Sequence, residues 1–124
     1  MIFLDTHALV WLYKGEADKL GPAARKAIDQ GDLIAPAAAV LELELLHEIG
    51  RLKVAALSLI AGLAEDIGLK VSDLSCAMLA EYAVKEKWTR DPFDRLIVAN
   101  ARAANSRLVT KDERMHRYYT GAIW

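Results

Sequence analysis

Short apolar runs alternate with longer amphipathic stretches along the whole chain. The apolar runs predict four strands and a short fifth one, at 1–4, 33–35, 69–71, 107–110 and 122–124. Between them, apolar periodicity and helix-end residues predict helices at 7–13, 22–30, 37–49, 54–67, 74–85 and 91–104. Because strands that alternate with helices need crossover connections, the sequence predicts an α/β fold, with helices on both faces of a short parallel sheet of four or five strands.

Composition narrows the class of protein. The chain has 124 residues, of which 54% are hydrophobic and 27% charged, so we expect one globular domain over residues 1–124. The single cysteine, Cys76, excludes an intramolecular disulfide and a cysteine-rich zinc site, and fits a reducing compartment. The most apolar window, 54–64, is too short to cross a membrane, and no basic region precedes the first apolar run. We therefore expect a soluble, cytoplasmic protein without a signal peptide.

The charges are unevenly distributed along the chain. The net charge of −1 excludes a basic field over the whole surface. Residues 85–117, however, contain nine of the sixteen basic residues and five acidic ones, a net charge of +4 that leaves −5 elsewhere. This segment is either a solvated face or a surface that holds phosphate groups.

Several aspartates lie where the predicted strands end or where a helix begins. Asp5 ends the first strand, and Asp112 follows the fourth strand by two residues. Asp91 and Asp94 begin the helix that leads into the fourth strand. The carboxyl ends of parallel strands meet at one edge of a sheet, where ligands bind. These acids are therefore expected to meet at that edge, although each one alone could be a turn or cap residue.

Helix capping accounts for part of this pattern. Asp91 is a good N-cap, Pro92 suits the first helical position, and Asp94 lies at the acidic position of a capping box. Capping can explain Asp91 completely. It explains Asp94 less well, since helical spacing places Ile97 and Val98 beside it on an apolar face. We therefore assign capping to Asp91 and chemistry to Asp94.

Glu42 is an acidic residue in an otherwise apolar helix. Its neighbours three and four residues away are all apolar: Ala38, Ala39, Leu45 and Leu46. The sequence therefore places Glu42 on a stripe that faces the core. A buried carboxylate must be protonated, paired or bound to a metal. Glu42 is either a neutral or arginine-paired residue at the margin of the core, or a ligand of a shared cation.

A cation would reconcile the four acids if they meet. Like charges this close cannot all ionise unaided, and the candidate ligands are Asp5, Glu42, Asp94 and Asp112. Carboxylate oxygens favour Mg²⁺ or Mn²⁺ over Zn²⁺, and the three histidines have no metal-ligand spacing. Such a site generates a hydroxide nucleophile and neutralises charge on a phosphate under attack. The basic segment beside three of the acids would hold the phosphate backbone.

Three motifs and the position of Glu42 together resemble a known family. The motifs are Leu4-Asp5-Thr6-His7-Ala8, Arg90-Asp91-Pro92-Phe93-Asp94-Arg95-Leu96-Ile97 and Leu108-Val109-Thr110-Lys111-Asp112-Glu113. Their order and spacing, with Glu42 eight residues before Gly50, resemble the PIN-domain ribonucleases, and among them the VapC-type toxins of toxin–antitoxin pairs. The resemblance implies a three-layer PIN-like fold, Mg²⁺ or Mn²⁺ bound by four acids, and cleavage of single-stranded or looped RNA. It also implies a homodimer and a cognate antitoxin.

The resemblance assigns roles to individual positions. The acidic quartet matches Asp5, Glu42, Asp94 and Asp112, of which the first three would hold the principal ion. Asp112 would hold a second ion or position the attacking water. Thr6 and Thr110 match hydroxyl positions that orient the acids, Asp91 matches an additional acid, and His7 stands where many relatives have Asn. The candidates for contacts with RNA phosphates are Arg95, Lys111 and Arg114.

Other interpretations remain open at this point. The apolar segment 54–64 is either a core helix or a surface buried by a second copy or the antitoxin. The whole chain could be a non-catalytic module that binds RNA or protein without cutting. A phosphate-accepting receiver domain is disfavoured, because Pro36 and Ala37, and no carboxylate, follow the strand at 33–35.

Overall fold

Five parallel strands form one sheet in the computed structural model, which describes all 124 residues. The strands are β1 (Ile2–Leu4), β2 (Leu33–Ala35), β3 (Lys70–Val71), β4 (Arg107–Val109) and β5 (Ala122–Ile123). Their order in the sheet is β3-β2-β1-β4-β5, and every neighbouring pair is parallel. The α/β class and the short parallel sheet predicted from the sequence are confirmed.

Seven α-helices flank the sheet. They are α1 (Thr6–Tyr13), α2 (Pro22–Gln30), α3 (Ala37–Glu48), α4 (Ala56–Ile67), α5 (Cys76–Ala83), α6 (Pro92–Ala103) and α7 (Glu113–Tyr118). A short 3₁₀ helix at Ala17–Lys19 joins α1 to α2. The sequence did not predict α7 or the 3₁₀ helix, since both are short. The helix α7 buries only Met115, so it carries no apolar periodicity.

Side-chain caps explain where three helices begin. Asp5 accepts a hydrogen bond from the Ala8 amide, so α1 begins one residue earlier than predicted. The amide of Ala56 donates to Glu44 Oε1 at 3.1 Å, and α4 begins there, two residues later than predicted. Ser75 caps α5 by accepting from the Met78 amide at 3.1 Å. These polar contacts fix helix ends that apolar periodicity places only approximately.

The core lies between the central strands and the helices that cover them. It includes fully buried side chains of β1, α1, α3, α4, α6 and β4, among them Phe3, Leu9, Leu43, Leu59, Val98 and Leu108. Leu59 and Leu63 place one face of α4 in this core, as one of the two interpretations of that segment expects. None of the helices is long and apolar enough to cross a membrane.

The order of strands reverses beside β1, which has β2 on one side and β4 on the other. The last residues of these two neighbouring strands are in register, with Leu4 opposite Val109. The chain segments that leave β1 and β4 therefore begin side by side at the carboxyl edge of the sheet. This is the position at which open parallel sheets bind ligands.

Candidate active site

A cavity of about 330 Å³ opens at the carboxyl edge of the sheet. All four acids of the predicted quartet line it: Asp5, Glu42, Asp94 and Asp112. They come from the N-cap of α1, the middle of α3, the first turn of α6 and the N-cap of α7. The cavity is also lined by Thr6, His7, Trp11, Ile97, Lys111 and Met115. Parts of the chain more than one hundred residues apart thus form one acidic site.

Asp5 is the most buried of the four acids, with 6% of its surface exposed. Its Oδ1 accepts from the Ala8 amide at 2.9 Å, and its own amide donates to the Val109 carbonyl at 3.1 Å. Burial raises the pKa of this carboxyl, while the Thr110 hydroxyl, the Ala8 amide and His7 act in the opposite direction. Asp5 is therefore both the cap of α1 and a fixed wall of the cavity.

Glu42 lines the cavity at the margin of the core. Its Oε1 accepts a hydrogen bond from the Thr6 hydroxyl, which is itself buried at the start of α1. The sequence places Glu42 on a core-facing stripe, but the neighbouring Leu45 is 41% exposed and Glu42 is only half-buried. The other three neighbours, Ala38, Ala39 and Leu46, are buried or pack against the core, so Glu42 leaves α3 at the edge of its core-facing side.

Asp94 has the most negative surroundings. Its side chain is 18% exposed, and Oδ2 lies 3.6 Å from Nη2 of Arg114. Burial, followed by the negative charges of Asp91, Asp112 and Glu42, raises the pKa of Asp94 to about 6. Arg114 lowers the pKa but does not cancel the rise. The chain therefore leaves the charge of this carboxylate incompletely balanced.

Asp91 lies outside the cavity and caps α6. Its Oδ1 accepts from the amides of Phe93 and Asp94 at 2.8 and 3.3 Å. The amide of Asp91 itself donates to the Thr89 hydroxyl oxygen at 3.1 Å, so the reciprocal contact of a capping box is not made. Asp94 is thus free of a capping role and available to the cavity.

Asp112 caps the short helix α7. Its Oδ1 accepts from the amides of Arg114 and Met115 at 2.8 and 3.2 Å. Its own amide donates to the Thr110 hydroxyl at 3.1 Å, which fixes the turn between β4 and α7. Thr110 is fully buried, and its hydroxyl also lowers the pKa of Asp5. One hydroxyl therefore links two of the acids.

The three predicted phosphate contacts differ in position. Lys111 is exposed and lines the cavity. Arg114 lies at its edge, between Asp94 and the ring of Trp88, whose centre is 5.5 Å from the guanidinium carbon. Arg95 does not line the cavity, and its Nε donates to the Thr89 carbonyl at 2.9 Å. The structure thus brings two of the three basic candidates to the acidic site.

The histidines do not gather there. His7 is exposed on the cavity wall, with its ring 6.0 Å from that of Trp11. His47 contacts the Leu52 carbonyl, and His116 the Thr110 carbonyl. Sequence reasoning missed Trp11 as a cavity residue. The available signal was its position four residues after His7, on the same face of α1.

The donor set fits a hard divalent cation. It offers carboxylate and hydroxyl oxygens, without cysteine, which is the chemistry that Mg²⁺ and Mn²⁺ prefer. No group of three or more His, Cys, Asp or Glu side chains converges closely enough to hold a metal ion in this conformation. Carboxylates without a cation between them repel one another, so we expect them to stay apart until their charge is balanced.

Comparisons with known proteins agree with this architecture. The PIN domain model matches residues 2–121. Ribonuclease VapC22 of Mycobacterium tuberculosis is 38% identical over 122 residues, which cover 94% of this chain and 92% of that protein.

Solved structures share the fold. The chain superposes with a TM-score of 0.70 and 16% identity on a toxin–antitoxin complex from Klebsiella pneumoniae, covering 100% of this chain and 97% of that one. For VapC20 of M. tuberculosis, described as a sarcin–ricin loop cleaving toxin, the TM-score is 0.61 at 17% identity, covering 96% and 95%. Because the family model spans almost the whole chain and a VapC ribonuclease is 38% identical to it, the chain belongs to the PIN domain family, among the VapC-type ribonucleases.

Proposed function

We propose that residues 1–124 form a single PIN domain that acts as a divalent-metal-dependent endoribonuclease, the toxin of a toxin–antitoxin pair. One observation carries the proposal: four carboxylates from distant parts of the chain surround one cavity, and the chain supplies only Lys111 and Arg114 as cations beside them. The 38% identity to Ribonuclease VapC22 supports RNA as the substrate.

The residues that would hold the ion are Asp5, Glu42 and Asp94, while Asp112 would hold a second ion or position the water. When bound there, Mg²⁺ or Mn²⁺ lowers the pKa of a water molecule and neutralises charge on the phosphate under attack. The Thr6 hydroxyl holds Glu42 toward the cavity, and Thr110 fixes Asp5 and the turn that carries Asp112. These contacts restrict the directions of the acids, so less rearrangement remains when a cation binds, which favours catalysis by orientation.

The reaction is an in-line hydrolysis. Oxygen of a water molecule forms a bond to phosphorus as the bond to the 3′-oxygen breaks, and a proton passes to that leaving oxygen. The products are a 3′-hydroxyl and a 5′-phosphate. Lys111 and Arg114 bind the phosphate from the rim of the cavity, where each can reach an anionic oxygen. Arg95 is bonded to the Thr89 carbonyl and would contact phosphates farther along the strand.

A cognate antitoxin and a second copy of the chain are the expected protein partners. Structural neighbours include a toxin–antitoxin complex, which supports the antitoxin. In addition, α3 and the segment that follows it expose large apolar side chains, and α4 exposes another: Leu41, Leu45, Ile49 and Leu57. Exposed apolar surface of this kind favours a protein interface. Light scattering of the purified chain, alone and co-expressed with the neighbouring open reading frame, measures both assemblies.

The function is tested by incubating total RNA with the purified protein in Mg²⁺ or Mn²⁺, beside EDTA and the Asp94→Asn variant. Discrete products that vanish in both controls are expected, and mapping their ends identifies the target. Products that form in equal amount with the variant and vanish only in EDTA would exclude Asp94 from the reaction. If the folded, antitoxin-free wild type cleaves nothing, the chain is a non-catalytic binding module instead.

A further inference from the structure

A second cavity of about 280 Å³ adjoins the acidic one and has no role in the reaction described above. We call it the aromatic cleft, and it is lined by Tyr82, Lys85, Glu86, Trp88, Arg102 and Tyr118. Three of these six residues are aromatic and two are cationic. Four of its six residues belong to the basic segment 85–117, so its chemistry is distinct from that of the carboxylate cavity.

An ion pair between the buried Glu86 and the partly exposed Arg102 lines the cleft. Glu86 is 3% exposed and accepts hydrogen bonds from Arg102 Nε and, at 2.6 Å, from Trp88 Nε1. Arg102 also donates to the carbonyl of Tyr118. The positions of Trp88 and Tyr118 are thus fixed from below, through hydrogen bonds that join the loop before α6, α6 itself and the end of α7.

The aromatic rings form a stack whose outer ring, Tyr118, solvent can reach. The rings of Trp88 and Tyr118 stack with centres 5.6 Å apart and planes 10° from parallel. Tyr118 remains 47% exposed, and Lys85 places Nζ 5.9 Å from the centre of the Tyr82 ring. Exposed rings beside cations are the combination by which proteins hold single-stranded nucleic acid, with bases on the rings and phosphates on the cations.

One side chain separates this cleft from the acidic cavity. The guanidinium of Arg114 lies 3.6 Å from the Asp94 carboxylate and 5.5 Å from the centre of the Trp88 ring. In addition, Thr89 and Arg90 are the only residues between Trp88 and the Asp91 cap of the helix that carries Asp94. A nucleotide that places its phosphate at Arg114 would therefore have the cleft within reach of its base.

We propose that the aromatic cleft is a base-stacking subsite: an unpaired RNA base next to the cleaved phosphodiester packs against Tyr118, while its phosphate contacts Arg114. This inference rests on the RNA cleavage proposed above and adds a substrate requirement to it. A base in a duplex cannot reach a ring beside the cavity, so the cleft selects loops and single strands. The competing explanation is that the rings only cover the Glu86–Arg102 pair.

The test compares Tyr118→Ala with Tyr118→Phe, which keeps the ring. A matched control is Tyr13→Ala, since Tyr13 is 41% exposed but lies at the far end of α1 and lines neither cavity. With an oligonucleotide that spans the mapped cleavage site, we expect KM to rise about tenfold in Tyr118→Ala with kcat unchanged, because stacking of one base contributes equally to bound substrate and transition state. Tyr118→Phe and Tyr13→Ala should match the wild type.

A binding measurement separates stacking from a structural effect. In the Asp94→Asn background, short single-stranded RNA is compared with an abasic strand of the same length. We expect Tyr118→Ala to lose the preference for bases while it keeps its affinity for the abasic strand, with the thermal midpoint measured alongside. An unchanged KM and base preference in Tyr118→Ala would overturn the subsite while leaving the nuclease intact. Absence of cleavage by the wild type would overturn the proposed function itself.

Discussion

Asp5 and Glu86 are both almost fully buried carboxylates, but only Glu86 forms an ion pair with a cationic side chain of the chain. Glu86 is 3% exposed and receives a charged partner, Arg102, together with the indole N–H of Trp88. Asp5 is 6% exposed and has only neutral donors, the Ala8 amide and the Thr110 hydroxyl. Three further acids, and no arginine, share its cavity.

This difference separates a structural carboxylate from a functional one. Burying an ionised group costs several kcal/mol unless a partner compensates it. At Glu86 the compensation lies within the chain, so the pair can only hold elements together. Asp5 has no such partner, and Arg114 only partly compensates Asp94, so burial raises the pKa of each. A cation from solution therefore binds most favourably at a cluster of carboxylates whose charges the chain does not balance.

The largest expected effect is on cleavage, in Asp94→Asn. This variant removes one negative charge and one anionic oxygen donor from the cavity. Mutation of groups that merely orient metal ligands lowers activity about 10- to 100-fold, so loss of a ligand should lower kcat/KM by more than about 100-fold. Rates of RNA cleavage, measured with circular dichroism as a check on folding, test this. Activity near the wild-type value would exclude Asp94 from the reaction.

Asp91→Asn is the matched control for that experiment. Asp91 lies three residues away and is exposed, and it accepts the amides of Phe93 and Asp94. An asparagine keeps the accepting oxygen and caps helices as well as aspartate does. The control should retain most of its activity. A loss as large as that of Asp94→Asn would show that Asp91 has a role in the reaction beyond capping.

The next effect is on stability, at the compensated carboxylate. Arg102→Ala leaves Glu86 buried without its charged partner, and we expect the free energy of unfolding to fall by about 3 kcal/mol. This is the lower end of the range for such pairs, because the Arg102 side chain is 34% exposed. Urea unfolding measures it. Lys19→Ala, which breaks the exposed pair with Glu16, should change stability by less than about 1 kcal/mol. If both variants lower the free energy of unfolding equally, the pair of Glu86 and Arg102 contributes no more to stability than an exposed pair does.

Much of the fold could be predicted because local signals and topology agree. The helix Pro22–Gln30 matches its predicted bounds, since Pro22 begins it and Gly31 follows it. Asp5 and Asp112 could be placed together because parallel strands end at one edge of a sheet. That argument needs only the order of elements and no side-chain contact.

The remaining features of the sites depend on long-range side-chain contacts, which the periodic pattern of apolar residues does not indicate. The stack of Trp88 on Tyr118 joins residues thirty positions apart, and nothing in either segment indicates the other. The sequence left two interpretations of Glu42 open because α3 also exposes Leu41 and Leu45, whose apolar character resembles that of core residues. Side chains that line a cavity or an interface, as Trp11 also does, break the rule from which burial is inferred.

A smaller effect on cleavage is expected in Thr6→Val, which tests whether Glu42 must be oriented by a hydrogen bond. The variant keeps the shape of a buried side chain and removes the hydroxyl that donates to Glu42. We expect cleavage to fall about tenfold, the lower end for groups that orient metal ligands. Raising the Mg²⁺ concentration should recover part of the loss, because a misplaced Glu42 weakens ion binding. A rate that is unchanged at every Mg²⁺ concentration would mean that Glu42 needs no orienting contact.

The smallest effect concerns the stability of the metal-free protein as the pH changes. The pKa of Asp94 is about 6 in the folded chain and 3.8 ordinarily, so the folded form binds this proton more tightly than the unfolded form does. The contribution to stability is therefore complete below about pH 4 and is lost as the pH rises through about 6.

The Asp94→Asn variant has no carboxyl group at this position, so its stability does not fall in this way. In EDTA, the variant should gain about 1 kcal/mol over the wild type between pH 4 and pH 7.5, a value reduced from the full linkage because the side chain is partly exposed. Asp5 is unchanged in both proteins, so its own titration cancels in the difference. Urea midpoints for the two proteins that run parallel across this range would mean that the cavity balances its charges without a cation, as the Glu86 site does.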